Sequence, residues 1–317
     1  MSDHFKNNRF YNPTLKKQFN PGIPQLIRMF REPRAPWPRY VQARKDPPIL
    51  IPPGQGEIRI TFVNHATFLI QLPGLNILTD PVWSSRASPF AWLGPKRVRE
   101  PGISLDKLPP IDLILISHNH YDHLDVKTLK ILNKRFSPQV FIPLGDKPLI
   151  DSLGFRKVDE MDWWEDADIN QETRITFTPA QHFSGRGLWD RYRSLWGSYF
   201  IEHGPRSVYY GADSGYSTHY ADIRSRLGSP DISLLGIGAY SPNWFMQPIH
   251  MNPPEAVTAH QDLGSGISIG MHFGTFRLSA EAIDHPVTEL KNALAKASLP
   301  PDCFIVLEEG ESFLSPP

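Results

Sequence analysis

Leu108-Pro-Pro-Ile-Asp-Leu-Ile-Leu-Ile-Ser-His-Asn-His-Tyr-Asp-His-Leu-Asp125 is the stretch that decides how this chain is read. Its first part, Asp112–Ser117, is a short apolar run after two prolines, the pattern of a strand buried on both faces. Its second part, His118 to His123, sets three imidazoles and one carboxylate within six residues. Imidazole and carboxylate are natural donors for zinc and similar divalent ions. A loop at a strand's end can turn such side chains into one cavity, which helical spacing would not do. A solvated polar loop or a group of internally satisfied histidines is the bland alternative, and the density of donors favours a metal site.

Working outward, three further donors follow apolar β-type runs: His182 after Ile175–Thr178, Asp213 after Ser207–Tyr210, and His272 after Ile267–Met271. Each alone would be an ordinary strand-end residue. Together with His118, His120, Asp122 and His123 they give five imidazoles and two carboxylates, more than one tetrahedral ion uses. They suit two ions sharing a carboxylate, each with room left for solvent. Runs at Ile58–Val63, Thr67–Leu72, Asn76–Thr79, Val140–Pro143 and Ile232–Gly236 read as strands. Val126–Arg135, a segment begun by Asn252 and the region Pro286–Lys296 read as helices. Strands lead and helices follow in both halves, which predicts two sheets packed together with helices outside.

Composition limits the alternatives. Lys+Arg and Asp+Glu are 33 each in 317 residues, so no global charge bias points to nucleic acid. The single cysteine, Cys303, excludes an internal disulfide framework and a cysteine-based zinc site. No apolar leader and no run long enough to span a bilayer is evident, so a cytoplasmic protein is expected. The first 48 residues differ from the rest: ten basic and three acidic residues leave +7, interleaved with prolines and aromatics as in Pro36-Trp-Pro-Arg-Tyr40. Residues 1–56 are expected to form a basic arm packed on the domain 57–317. An extended arm touching an anionic surface and an arm solvated on its own core both fit.

The string HNHYDHLD at 118–125, with His182, Asp213 and His272, resembles the metal motif of the metallo-β-lactamase superfamily. Within it the chain is similar to N-acylphosphatidylethanolamine-hydrolysing phospholipase D and its bacterial relatives, through TDPVWSSRASP (79–89), GPKRVR (94–99), LWGS (195–198), IGAYSPNWFM (237–246), PPEAV (253–257) and HFGTF (272–276). The resemblance implies an α/β fold, the αββα sandwich with metals at one edge between the sheets. It implies two zinc ions, with iron or manganese as alternatives. His118, His120 and His182 would hold one ion, Asp122, His123 and His272 the other, and Asp213 would bridge them. His65 and Asp80 would orient ligand imidazoles from behind. His250 would contact substrate phosphate, and Asp122 would double as a proton donor or acceptor. A homodimer is also implied. Ile249, Phe183 and Ser214 depart from the animal enzyme's polar amide, Trp and Thr, so headgroup and acyl preference do not carry over.

Two metals would lower the pKa of water from about 16 to about 7 and stabilise charge on a phosphoryl or carbonyl oxygen. The expected reaction is phosphodiester cleavage of an N-acylated phospholipid to N-acylethanolamine and phosphatidic acid, with a lipid or small phosphodiester as partner and peripheral membrane contact. Hydrolysis of another phosphodiester or a lactone, and a metal-stabilised membrane protein without turnover, are the alternatives. A covalent serine mechanism gains no support, because no G-x-S-x-G elbow is present. The Arg- and aromatic-rich loops 86–99 and 183–196 would border the cleft or simply pack as loops. His203, His219, His260 and His285 are expected at the surface.

Overall fold

The computed structural model describes residues 2–42, 50–187 and 189–317, so Arg44, Lys45 and Asp46 of the basic arm lie outside the described residues. A hairpin of β1 (Phe5–Lys6) and β2 (Arg9–Phe10) precedes α1 (Ile23–Arg31). The first half of the domain runs β3 (Arg59–Asn64), β4 (Thr67–Leu72), β5 (Leu75–Thr79), β6 (Leu113–Leu115), α2 (Val126–Phe136), β7 (Gln139–Pro143), α3 (Lys147–Asp151) and β8 (Val158–Met161). The second runs β9 (Asp166–Asp168), β10 (Thr173–Thr178), β11 (Ser198–His203), β12 (Arg206–Tyr210), α4 (His219–Leu227), β13 (Ile232–Gly236), α5 (Asn243–Met246), α6 (Pro253–Leu263), β14 (Ile267–Met271), α7 (His285–Lys296), β15 (Phe304–Ile305) and β16 (Ser312–Leu314).

Two seven-stranded sheets result, ordered β16-β3-β4-β5-β6-β7-β8 and β15-β14-β13-β12-β11-β10-β9. Each opens as an antiparallel meander and continues as parallel strands. The last strand, β16, returns to pair antiparallel with β3. Side-chain alternation sets the layers. In β4, Phe68, Ile70 and Leu72 enter the core between the sheets with Phe177, Tyr199 and Leu234, whereas Leu69 faces outward onto a layer with Leu129 and Leu132 of α2. On the far side, Tyr209 and Leu235 pack under α4, α6 and α7 through Ile223, Val257 and Leu290. A one-residue slip would exchange these faces, and each buried Phe or Leu so displaced costs about 1.5–3 kcal/mol. The expected αββα sandwich is what forms.

The arm departs from the expectation of an extended segment: Ile23–Arg31 is helical. Pro24 sits in the first turn, where its missing N–H is harmless, and the Gly22 N–H donates to Gln25 Oε1 at 2.6 Å. Leu26 and Met29 anchor this helix on Phe245 and Met246. Phe10 is buried against the main core, and Asn12 Nδ2 donates to the carbonyl of His182 at 2.8 Å, so the arm reaches the edge that carries the donors. Among the described residues no helix is long and apolar enough to cross a membrane.

Candidate metal centre

Six strand ends converge on one edge of the sandwich. His65 follows β3, Asp80 β5, His118 β6, Asp213 β12 and His272 β14, while His182 lies a few residues beyond β10. Four of these turns hold non-glycine residues in the left-handed region: His65 at φ 49°, Asp80 at 32°, Ala212 at 49° and His272 at 60°. Such conformations cost about 1–3 kcal/mol each and persist where surrounding contacts over-determine them. Here they do: the His272 N–H donates to the His65 carbonyl at 2.8 Å, and the Asp80 N–H to Leu115 O at 2.9 Å. The chain is bent away from the strand direction so that side chains leave both sheets toward the same space.

All seven expected donors meet there, in two groups on either side of Asp213. His118, His120 and His182 form one, with His118 Nε2 2.9 Å and His182 Nε2 3.2 Å from His120 Nδ1. Asp122, His123 and His272 form the other, with both Nε2 atoms 3.4–3.6 Å from Asp122 Oδ2. Asp213 lies between: Oδ2 is 3.6 Å from His182 Nε2, 3.8 Å from His118 Nε2 and 3.2 Å from His123 Nε2, and Oδ1 is 3.2 Å from His272 Nε2. His65, expected behind the donors, stands closer, with Nε2 3.0 Å from Asp122 Oδ2 and within donor range of that second group. His250 is half-buried, with Nδ1 3.9 Å from Asp213 Oδ2 and its ring stacked on His272.

The hydrogen bonds behind the rings decide which nitrogen faces inward. A carbonyl only accepts, so His182 Nδ1–H donates to Ile249 O at 2.9 Å and leaves a lone pair on Nε2. His123 Nδ1–H meets Asp80 Oδ2 at 2.6 Å, which leaves the lone pair of its Nε2 facing Asp122 and Asp213. Asp80 is itself fixed by the Ser117 N–H and hydroxyl and by Tyr210. Nε2 of His123 and of His272 and Oδ1 of Asp213 are buried without a hydrogen-bond partner among the described residues. Lone pairs and carboxylate oxygens pointing at one another repel, and a cation is what reconciles them.

The titration pattern agrees. Burial and neighbouring imidazoles hold His118 well below its usual range, and burial holds His182 there too. Burial opposes charging Asp122 and Asp213, yet the imidazoles around them keep both well below the ordinary carboxylate range. Burial likewise opposes charge on His123, and the carboxylates Asp213, Asp122 and Asp80 outweigh it. Neutral His118 and His182 beside ionised Asp122 and Asp213 are the protonation states that bind a divalent ion, and at His123 the carboxylates draw a positive charge that a metal would supply in place of a proton. The residues fit the two ions that the resemblance implies.

Loop 183–196 borders the centre, whereas loop 86–99 faces Tyr121 and Arg186 beside it. The Phe183 ring lies 4.4 Å from that of His120, and Arg186 donates to the carbonyls of Asn119 and Leu124 while stacking on Tyr121. Residues 84–86 and 88–91 face Tyr121 and Arg186 across a cavity of about 530 Å³. Sequence reading missed the support under the metal loop: Asn119 Nδ2 donates to buried Asp146 at 2.8 Å, and Ser194 Oγ donates to the same oxygen at 2.8 Å. Nothing local to residue 146 signals this contact. The expected surface placement of His203, His219 and His260 is corrected, since all three are buried, each beside a hydroxyl: Thr173, Ser217 and Ser268. His285 is indeed half-exposed.

Two mixed sheets between helical layers, with His and Asp donors gathered at one edge, define a metal-centred α/β sandwich. Residues 75–273 match the beta-lactamase superfamily domain, and the chain belongs to the metallo-β-lactamase superfamily. An uncharacterized protein of Mycobacterium tuberculosis is 39% identical over 238 residues, covering 74% of this chain and 63% of that protein. The chain thus spans less than two thirds of the length of that relative. N-acyl-phosphatidylethanolamine-hydrolyzing phospholipase D 1 of Caenorhabditis elegans is 36% identical over 264 residues, covering 79% of this chain and 74% of that one. Among solved structures, the metallo hydrolase Igni18 of Ignicoccus hospitalis superimposes with a TM-score of 0.63 at 23% identity, over 82% of this chain and 99% of that one, a likeness of fold.

Proposed function

We propose that the chain is a dinuclear metal hydrolase that cleaves phosphodiesters in the manner of an N-acylphosphatidylethanolamine-hydrolysing phospholipase D, yielding an N-acylethanolamine and phosphatidic acid. The observation that supports this most is the imidazole of each group beside the Asp213 carboxylate, whose Oδ2 lies 3.6 Å from His182 Nε2 and whose Oδ1 lies 3.2 Å from His272 Nε2. His118, His120 and His182 would hold one ion, Asp122, His123 and His272 the other, and Asp213 both. Zinc suits this donor set, and iron or manganese can take it too. Bound there, two divalent ions make water nucleophilic near neutral pH and stabilise charge on the phosphoryl oxygens.

The chain's own groups do the rest. Asp80 and the Ile249 carbonyl fix the tautomers of His123 and His182, so the donors are set before substrate arrives. His250, with Nδ1 3.9 Å from Asp213 Oδ2, would hydrogen-bond a phosphoryl oxygen. Asp122, held by His65, starts ionised and would take a proton from the attacking water and pass it to the departing group. The similarity to the nematode phospholipase supports a phospholipid substrate, and the exposed Phe90, Trp92 and Leu93 offer apolar contact for acyl chains or a bilayer surface.

The test is metal content per chain by mass spectrometry, with cleavage of N-acylphosphatidylethanolamine by wild type and Asp213→Ala measured on the same preparations. About two metals and lipid cleavage lost in the variant are expected. Two metals without lipid cleavage would redirect the reading to other phosphodiesters or lactones, and no metal after reconstitution would overturn it.

A further inference from the structure

The basic arm does more than cover the domain. Its hairpin and the loop 189–192 enclose a cleft of about 570 Å³ that holds Lys6, Arg9 and Arg191, with the amides of Asn7, Gln18 and Asn20 and the exposed indole of Trp189 beside them. Among the described residues no carboxylate lines it. The nearest in sequence, Asp190, is engaged elsewhere, accepting from the N–H groups of Gly187 at 2.8 Å and Arg186 at 3.0 Å. The two walls are tied together: Arg9 donates to the carbonyls of Arg191 and Trp189, the Phe10 N–H to Tyr192 O at 2.8 Å, and the Tyr192 hydroxyl to Phe19 O at 2.5 Å.

Arg191 is the unusual member. Its guanidinium carbon lies 3.9 Å from the centre of the Phe183 ring, 5.2 Å from Phe19 and 5.4 Å from Tyr192, which holds the planar group among three aromatic rings. Nε and Nη2 are buried, with the Tyr192 hydroxyl beside the guanidinium and no carboxylate paired with it among the described residues. Burial lowers the guanidinium's pKa from its usual value, as it does for a cation short of compensating charge. A largely buried cation without a counter-charge is costly, and a guanidinium fork matches the oxygens of a phosphate.

We infer that this cleft is a binding site for a phosphate group, either free or as the head of a phosphomonoester lipid. Three cations, three amides and, among the described residues, no carboxylate select a compact dianion, and the indole of Trp189 gives a lipid's glycerol and acyl region a surface to rest on. The site is separate from the metal centre and independent of the reaction proposed for it. It also neighbours that centre, because the Phe183 ring that carries Arg191 lies 4.4 Å from His120 and 4.9 Å from His182.

Titration calorimetry of inorganic phosphate into the metal-loaded protein tests this, with Arg191→Gln, Lys6→Gln and Asp213→Asn compared. Phosphate affinity is expected to fall about tenfold in Arg191→Gln and severalfold in Lys6→Gln, with metal content unchanged, and one binding event should survive in Asp213→Asn. Lys6 is exposed, so its replacement decides the matter even where Arg191→Gln fails to fold. Unchanged affinity in both cation variants, or loss of all binding in Asp213→Asn alone, would overturn the inference. Sedimentation with phosphatidylcholine vesicles, with and without phosphatidic acid, separates the two sources. Retention on phosphatidic acid vesicles that Lys6→Gln weakens identifies a lipid head, and phosphate binding without retention identifies a soluble phosphate.

Discussion

His123 Nδ1 lies 2.6 Å from Asp80 Oδ2 with both side chains fully buried, and this contact fixes which nitrogen of the ring faces the metal centre. The Ser117 hydroxyl and Tyr210 hydroxyl share that oxygen at 2.5 and 2.6 Å, so Asp80 has no freedom to turn away. Asp80→Asn keeps the shape but presents an amide where a carboxylate held the Nδ1 proton. Metal affinity is expected to fall roughly 10–100-fold, the usual effect of losing a carboxylate behind a histidine ligand. Chelator competition measures it, and an affinity equal to wild type would show that the tautomer is set by something else.

His250 separates substrate contact from metal binding. It is half-buried at the rim, and burial holds its pKa down at about 4, so it is neutral under ordinary conditions and can donate one N–H. His250→Ala should retain full metal content and lose roughly 100-fold in kcat/KM toward a phosphodiester. Loss of metal from this variant, measured by mass spectrometry, would instead make His250 a ligand alongside His182 and Asp213, with which it shares donor range.

What the sequence disclosed follows from where the information sits. Ile232–Gly236 and Ile267–Met271 match their strands end to end, because buried parallel strands are continuous apolar runs. The donors were legible for a related reason: HNHYDH is dense enough to stand out, and the later donors each follow such a run. Ser198–His203 was not seen as a strand, since Glu202 and His203 break the apolar pattern and its pairing with β10 and β12 is what secures it. His203 and His260 looked like surface residues because their hydroxyl partners, Thr173 and Ser268, come from other elements. Asp146 was invisible for the same cause, being joined to Asn119 only by the fold. Contacts made at a distance leave no periodicity to read.

Gly102 marks a crossing with no room for a side chain. Its N–H donates to Val63 O at 2.8 Å, while the Gly310 N–H donates to Phe62 O at 2.8 Å, so two loops press on the end of one strand. A methyl group on Gly102 would overlap the backbone of Glu309 and Gly310. Gly102→Ala is expected to destabilise the fold by about 3 kcal/mol, since backbone must move rather than a flexible side chain. Urea unfolding measures this, with Gly74→Ala as a contrast: its φ of 74° is strained for alanine but nothing lies within 4 Å, so about 1 kcal/mol is expected there.

Asp146 gives the fold a pH dependence whose sign can be worked out. Burial pushes its carboxyl up to about 7, and the hydrogen bonds from Asn119 and Ser194 offset this only in part. In the unfolded chain the group titrates near about 3.9. Between about pH 4 and pH 7 the folded protein therefore holds a proton that the unfolded chain has lost, so its contribution to stability is full below that window and declines as pH rises through it. Above about pH 7 an ionised carboxylate is buried, at a cost of at most about 4 kcal/mol. Asp146→Asn removes the titration and keeps an oxygen to accept from Asn119 and Ser194. The variant should match wild type near the acid end of the window and exceed it increasingly toward pH 7, with the gain level beyond. Urea unfolding of both proteins at pH 5 and pH 8 reads the difference directly. A gap between variant and wild type that does not change with pH would mean that Asp146 is ionised in the folded state throughout, with Arg186 supplying more compensation than its position suggests.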